Sequence, residues 1–193
     1  MQKITGTLFL LIGPSAVGKT TLAKALLAHP ACANLKLVLS YTTRQPRPEE
    51  RDGVDYNFIT QADFDQKLTE GFFIESSTAY KYSYGVAYNE LVGTLNKGSN
   101  VLIVVDRAGT RNIIRQLSGA IVINIVPPSI EVLRERLLAR PTSQPQDIDF
   151  RLKKAAEELA EESQERLATY TIVNDDLEDV LKRLTTLVCG LKN

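Results

Sequence analysis

Apolar residues in this chain gather in short unbroken runs, and helix-spaced segments separate the runs. Thr7-Leu8-Phe9-Leu10-Leu11-Ile12, Asn100 to Val105 and Ala120 to Val126 are nearly continuous in apolar residues. A strand with one wet face would alternate, so these runs predict parallel strands buried on both faces. Helical spacing appears in Thr21 to Leu27, Ala108 to Leu117, Ile130 to Arg140, Phe150 to Tyr170 and Leu177 to Leu191. Thr171-Ile172-Val173 reads as one more short strand. Strands and helices in alternation predict the α/β class, with a three-layer α/β/α core around a mainly parallel sheet.

Two segments interrupt the rhythm. Residues 35 to about 96 hold β-type pieces (Leu37-Val38-Leu39, Tyr56-Asn57-Phe58-Ile59, Phe72-Phe73-Ile74) with short helices between and after them. They predict an inserted α+β lobe. Residues 141–149 are polar, contain two prolines and separate two helices. They predict a mobile lid. The expected plan is one domain with core 1–34, 97–140 and 150–193, lobe 35–96 and lid 141–149.

A length of 193 residues suits one domain with a full core. Lys+Arg and Asp+Glu are equal at 23 each, so the formal net charge is zero. That balance predicts no nucleic-acid partner and no membrane surface. Charge for binding phosphates must then be concentrated locally. The first apolar run is too short to span a bilayer and leads straight into a glycine loop, so a signal peptide is not expected. Cys32 and Cys189 are the only cysteines. Far apart and without metal-type spacing, they predict no metal site and no disulfide framework, and read as reduced cytoplasmic thiols. His29, the only histidine, stands before Pro30 at a helix end and reads as structural.

The chemistry starts at Gly13-Pro14-Ser15-Ala16-Val17-Gly18-Lys19-Thr20, which fits G-x-x-x-x-G-K-[ST]. A strand precedes it and a helix follows, as a phosphate-binding loop requires. Backbone N–H groups of such a loop converge on phosphate oxygens, and the helix N-terminus adds partial positive charge. Lys19 would reach the β- and γ-phosphates of a nucleoside triphosphate, and the Thr20 hydroxyl would bind Mg²⁺.

Other residues suggest a second site. Thr42-Thr43-Arg44-Gln45-Pro46-Arg47-Pro48 sets two guanidinium groups in a proline-stiffened segment. Near Tyr56 and Tyr84 they would clamp a separate phosphate bidentately; the alternative is a solvated basic loop. Arg136 and Arg140 lie one helical turn apart beside the expected lid, and Arg151 follows on its far side. They would close on transferring charge, or form a salt-bridged face with Glu131 and Glu135. Asp106 ends an apolar strand at the ligand-facing side of a parallel sheet. It would hold Mg²⁺, directly or through water, or cap the next helix, or both. Asn174 would contact a base edge, while Asp176 suits a helix N-cap.

Taken together, these residues resemble the guanylate kinase family over almost the full length. The matching pieces are G-P-S-A-V-G-K-T-T at 13–21, S-Y-T-T-R-Q-P-R at 40–47, D-G-V-D-Y-N-F at 52–58, F-I-E at 73–75, Y-G at 84–85, the three arginines and I-V-N-D-D at 172–176. The resemblance implies a P-loop core with a nucleoside-monophosphate lobe and a lid. It implies transfer of the γ-phosphoryl group of ATP to GMP or dGMP, with Mg²⁺, by a cytoplasmic monomer or homodimer. Residues 13–21, Thr21 included, and Asn174 would then bind ATP. Arg44, Arg47, Tyr56 and Tyr84 would hold the GMP phosphate. Ser40, Glu75 and Asp106 would complete the acceptor site, with Ser40 and Glu75 reading guanine. Lys19, Arg44, Arg136, Arg140 and Arg151 would be catalytic, and Thr20 and Asp106 would serve the metal.

Three positions depart from that pattern. Val86 stands where Ser or Thr is common, Val104 replaces the first acid of an Asp-x-Asp pair, and Ala139-Arg140-Pro141 replaces Gly-Arg-Gly. The first two bear on metal and base contacts, the third on lid stiffness. Alternative readings on the same scaffold are a ribose 1,5-bisphosphate phosphokinase and a non-catalytic interaction module. Glu75 with Arg47 opposes the first, and the intact phosphate loop opposes the second.

Overall fold

The computed structural model describes residues 4–79, 81–139 and 145–190. Its main sheet has five strands in the order β2-β7-β1-β8-β9. These are β1 (Leu8–Ile12), β2 (Leu35–Leu37), β7 (Asn100–Val104), β8 (Ile121–Val126) and β9 (Tyr170–Val173). All pair in parallel; Leu10 at the centre sits in register with Ile103 on one side and Val122 on the other.

Successive side chains of a strand point to opposite faces, so an unbroken apolar strand needs cover on both. Phe9 and Leu11 share one core cluster with Leu22 and Leu26 of α1 (Lys19–Ala28), Leu133 of α5 (Ile130–Leu138), Leu152 of α6 (Pro145–Gln164) and Leu184 of α7 (Leu177–Cys189). Leu8, Leu10 and Ile12 share a second cluster with Leu91 and Leu95 of α3 (Tyr88–Asn96) and Ile113 of α4 (Arg107–Gln116). The expected three-layer α/β/α core is therefore present. Each fully buried Leu contributes roughly 1.5–3 kcal/mol.

A second sheet has the order β4-β3-β6-β5, from β3 (Tyr41–Thr42), β4 (Asn57–Phe58), β5 (Phe73–Ala79) and β6 (Tyr82–Ala87), with α2 (Gln61–Thr69) beside it. It spans a narrower segment than 35–96. β2 pairs with β7 in the main sheet, and Leu91 and Leu95 of α3 are fully buried in the main core. Short apolar runs carry no mark of the sheet they join, which explains the wider expectation.

The helix expected over 150–170 runs instead over Pro145–Gln164. Residues 145–149, expected in the lid, are its opening turn. Proline suits that position because its fixed φ is helical and its missing N–H needs no partner. Residues 140–144 lie outside the described residues, and Arg140 and Pro141 with them. At the far end, Arg107 Nη2 donates to Glu165 O at 2.9 Å, and Glu162 Oε1 accepts from the Ala168 N–H at 2.9 Å. Those contacts satisfy the chain as it leaves the helix.

Cys32 and Cys189 form a disulfide, with Cα atoms 5.1 Å apart across a sequence separation of 157. This corrects the expectation of separate thiols. α7 lies against α1 and the 3₁₀ turn Pro30–Cys32 that follows it, a proximity that sequence spacing does not reveal. His29 is structural, as expected, but as an acceptor: its Nδ1 takes the Ala31 N–H at 3.2 Å.

Candidate active site

β1 delivers the chain to the phosphate loop, and three residues there hold left-handed backbone: Gly13 (φ 133°), Ala16 (φ 67°) and Gly18 (φ 103°). At Gly13 a side chain is impossible, because a Cβ would lie 2.0 Å from Ile125 O. Gly18 precedes α1, whose first turn has no side-chain cap. Helix N-termini leave N–H groups for an outside acceptor, here at the loop mouth. Lys19 Nζ donates to Gly13 O at 2.5 Å and to Pro14 O at 3.0 Å, which folds it over the loop.

One cavity of about 260 Å³ opens on this loop. Gly13, Ser15, Ala16, Gly18, Lys19, Thr20 and Thr21 line one side; Ser40, Arg44, Arg47, Tyr56, Glu75, Tyr84 and Asp106 line the other, and Arg151 reaches it from α6. Pro14 and Val17 lie beneath the loop, buried, and do not line it.

Asn174 and Arg136 support the loop from behind. Asn174 Nδ2 donates to Val17 O at 2.6 Å from a buried position. Arg136 Nη2 donates to Asn174 O at 2.8 Å and Nη1 to Val17 O at 3.5 Å. Neither lines the cavity.

On the opposite side, the Glu50 carboxylate engages the Arg44 fork through two contacts of 2.9 Å. Glu50 also takes the Arg47 backbone N–H at 2.9 Å and the Arg47 guanidinium at 3.4 Å. Burial works against the charge on Arg44, but the Glu50 carboxylate outweighs it and holds the guanidinium above its usual pKa. Burial likewise opposes the Glu50 charge, and Arg44 with the Arg47 N–H outweighs it, so that carboxyl sits below its usual range. Tyr56 lies beneath Arg44, with the guanidinium carbon 5.5 Å from its ring centroid, and beside Tyr84 at 6.2 Å. The two guanidinium groups of Arg44 and Arg47, edged by the phenols of Tyr56 and Tyr84, suit a phosphate group.

Glu75 is 5% exposed, and among the described residues its Oε2 has no hydrogen-bond partner. Burial first, then the nearby charge of Asp106, pushes its carboxyl pKa up to about 8. α4 approaches it closely: a Cβ on Gly109 would lie 2.7 Å from Glu75 Oε2. Asp106 both caps α4, with Oδ1 accepting from the Gly109 N–H at 2.7 Å, and lines the cavity. Val86 faces Glu75 in the strand register but is fully buried in the apolar core and does not line the cavity.

Three lining or supporting acids and hydroxyls escaped sequence reasoning. Glu50 stands three residues after Arg47, an ordinary pairing distance. Ser77, a cavity residue, follows Glu75 by two along a strand and so shares its face. Glu158 follows Arg151 by seven, two helical turns, and also lines the cavity. Burial raises the Glu158 pKa, Lys19 opposes that shift, and Asp106 adds to it.

The family model for guanylate kinase matches residues 5–190 of this chain. The chain belongs to the guanylate kinase family. The guanylate kinase of Nitrosospira multiformis is 39% identical over 97% of this chain and 87% of its own length. That of Rickettsia bellii is 36% identical over 97% of this chain and 96% of its own. A crystal structure of guanylate kinase from Anaplasma phagocytophilum superposes with a TM-score of 0.78 at 29% identity, covering 98% of this chain and 88% of that one. Membership of the guanylate kinase family makes the chain a nucleoside monophosphate kinase, a transferase. Among the described residues, no helix is long and apolar enough to cross a membrane.

Proposed function

We propose that the cavity is a two-nucleotide site in which the γ-phosphoryl group of ATP passes to GMP or dGMP, giving ADP and GDP. The observation that carries the acceptor assignment is Glu75, a buried carboxyl with an unpartnered oxygen in the same cavity as a phosphate loop. Guanine presents N1–H and N2–H₂ side by side, which an ionised carboxylate accepts together. Adenine presents a lone pair at N1, which the carboxylate would repel. A site whose buried polar groups are left stranded by the wrong ligand discriminates by ~10⁴-fold.

Residues 13–21 cradle the ATP phosphates, and Lys19 leaves the loop carbonyls for the phosphate oxygens. Arg44 and Arg47 receive the GMP phosphate, which carries more charge than the Glu50 carboxylate and competes with it for the fork. Tyr56 and Tyr84 add hydroxyl donors. The attacking oxygen belongs to an ionised phosphate, so the chemistry needs no general base. Positioning and charge neutralisation supply the rate. Arg151 and Arg140 serve the transferring group, while Asn174 and Arg136 act by fixing the loop.

Hard oxygen donors fit Mg²⁺, which keeps several waters of its own. Thr20 and Asp106 line the same cavity, and both Asp106 oxygens already accept one hydrogen bond. Thr20 would hold the ion directly and Asp106 through water. Bound there, Mg²⁺ would neutralise charge on the donor phosphates. The expected setting is the cytoplasm, where a reductant would reopen the Cys32–Cys189 pair to thiols.

Coupled ADP release with GMP, dGMP, AMP, UMP and ribose 1,5-bisphosphate as acceptors tests the assignment. GMP and dGMP should turn over at least 10²-fold more efficiently than AMP (~3 kcal/mol or more). Turnover of ribose 1,5-bisphosphate but not GMP would overturn it. A folded protein inactive on every acceptor would favour an interaction module.

A further inference from the structure

Ser77 is a polar residue of the cavity, on the strand that carries Glu75. Its Oγ donates to Asp106 Oδ2 at 3.1 Å. The other oxygen of Asp106 is committed to the Gly109 N–H. A hydroxyl has one hydrogen, so with that hydrogen on Asp106 the Ser77 oxygen can only accept from a ligand.

Register gives its place along the acceptor. Glu75 faces Val86 across the β5–β6 pair, and Ser77 faces Tyr84. Tyr84 belongs to the phosphate end with Tyr56 and Arg44, and Glu75 marks the base end. Two residues of strand separate Ser77 from Glu75, about 6.8 Å. Ser77 therefore lies on the phosphate side of Glu75, on the same face of the strand. Val86 is buried in apolar surroundings and brings no hydroxyl, so Ser77 joins Ser40 among the hydroxyls that line the cavity with Glu75.

Guanine meets this arrangement with one hydrogen to spare. If Glu75 takes N1–H and one hydrogen of the 2-amino group, the second amino hydrogen points toward the sugar side. We propose that Ser77 is a specificity-determining residue: its Oγ, oriented by Asp106, accepts that second hydrogen and so selects a 2-aminopurine. This rests on the reading of the cavity as a GMP site.

The test compares GMP, IMP and dGMP on the whole protein and on Ser77→Ala. IMP lacks only the 2-amino group, and dGMP lacks only the 2′-hydroxyl. Losing one hydrogen bond should lower kcat/KM for GMP by about three- to tenfold, mainly through KM. dGMP should fall in step. IMP, followed as substrate and as competitive inhibitor, should change by less than about twofold. Equal losses for GMP and IMP would overturn the inference, because the hydroxyl would then serve the pocket and not the amino group. A loss for GMP without one for dGMP would reassign it to the ribose. No change for any of the three would also overturn it. If the unsubstituted protein fails to phosphorylate GMP at all, the kinase reading falls and takes this inference with it.

Discussion

The two sides of the cavity are built from different materials. The phosphate-loop side is backbone: three left-handed residues, a helix N-terminus and a lysine folded onto loop carbonyls, braced by Asn174 and Arg136. The acceptor side is side chains: a bidentate Arg44–Glu50 pair, two phenols and a buried carboxyl with one unpartnered oxygen. Backbone groups cannot be exchanged by point substitution and do not titrate, so the donor side is generic and robust. Side chains carry identity, so the acceptor side holds the selectivity and also the cost of burying charge.

Substitution should expose this asymmetry. Lys19→Ala strikes the one charged side chain of the donor loop. It should lower kcat by roughly 10³-fold with every acceptor alike, since it removes charge stabilisation common to all of them. A loss confined to GMP would contradict the division. Glu75→Gln strikes the other side. It should lower kcat/KM for GMP by roughly 10²-fold or more while AMP changes little, which an acceptor panel would read directly.

The same variant separates function from stability. A folded-state pKa raised to about 8 means the native state holds a proton that the unfolded chain gives up near 4.5. Stability from Glu75 is thus complete below pH 4.5 and is lost as pH rises through 8. At pH 8 or above, Glu75→Gln should melt a few degrees higher than the parent protein, despite its poor activity. Only the ionised carboxylate accepts both guanine donors. For the parent, kcat/KM for GMP should therefore rise by up to about tenfold per pH unit toward pH 8 and level off beyond it. A flat profile from pH 6 to 9 would show that Glu75 is already ionised before GMP arrives.

The smallest effect on activity should come from the disulfide. Its closed loop of 157 residues gives a chain-entropy ceiling of about 5 kcal/mol. Reduction, or Cys189→Ser, should lower the melting temperature by up to roughly 20 °C while kcat changes by less than about twofold. A large loss of kcat at a temperature where the protein stays folded would tie the bridge to the site.

These two materials also explain what could be read before folding. The strands Asn100–Val104 and Ile121–Val126 fall within a residue or two of the apolar runs that foretold them, because burial on both faces leaves an unbroken signature. The loop at 13–20 was legible because its conformation needs glycine at fixed spacing. The home sheet of β2 was not, since three residues, Leu-Lys-Leu, pair equally well anywhere. The pattern around Asn174 suggests a base edge, yet its amide braces Val17 from 157 positions away, a contact no local pattern encodes. Glu50 carries no distinctive sequence signal, because an acid beside two arginines looks like any surface ion pair.

The Cys32–Cys189 bridge closes most of the chain into a covalent ring. The phosphate loop and α1 hang outside that ring as a tail, while the whole acceptor sheet and α6 lie on it. A protease cut anywhere between residues 32 and 189, the stretch after α5 included, would open the ring without parting the molecule. The two fragments would migrate as one until a reductant was added.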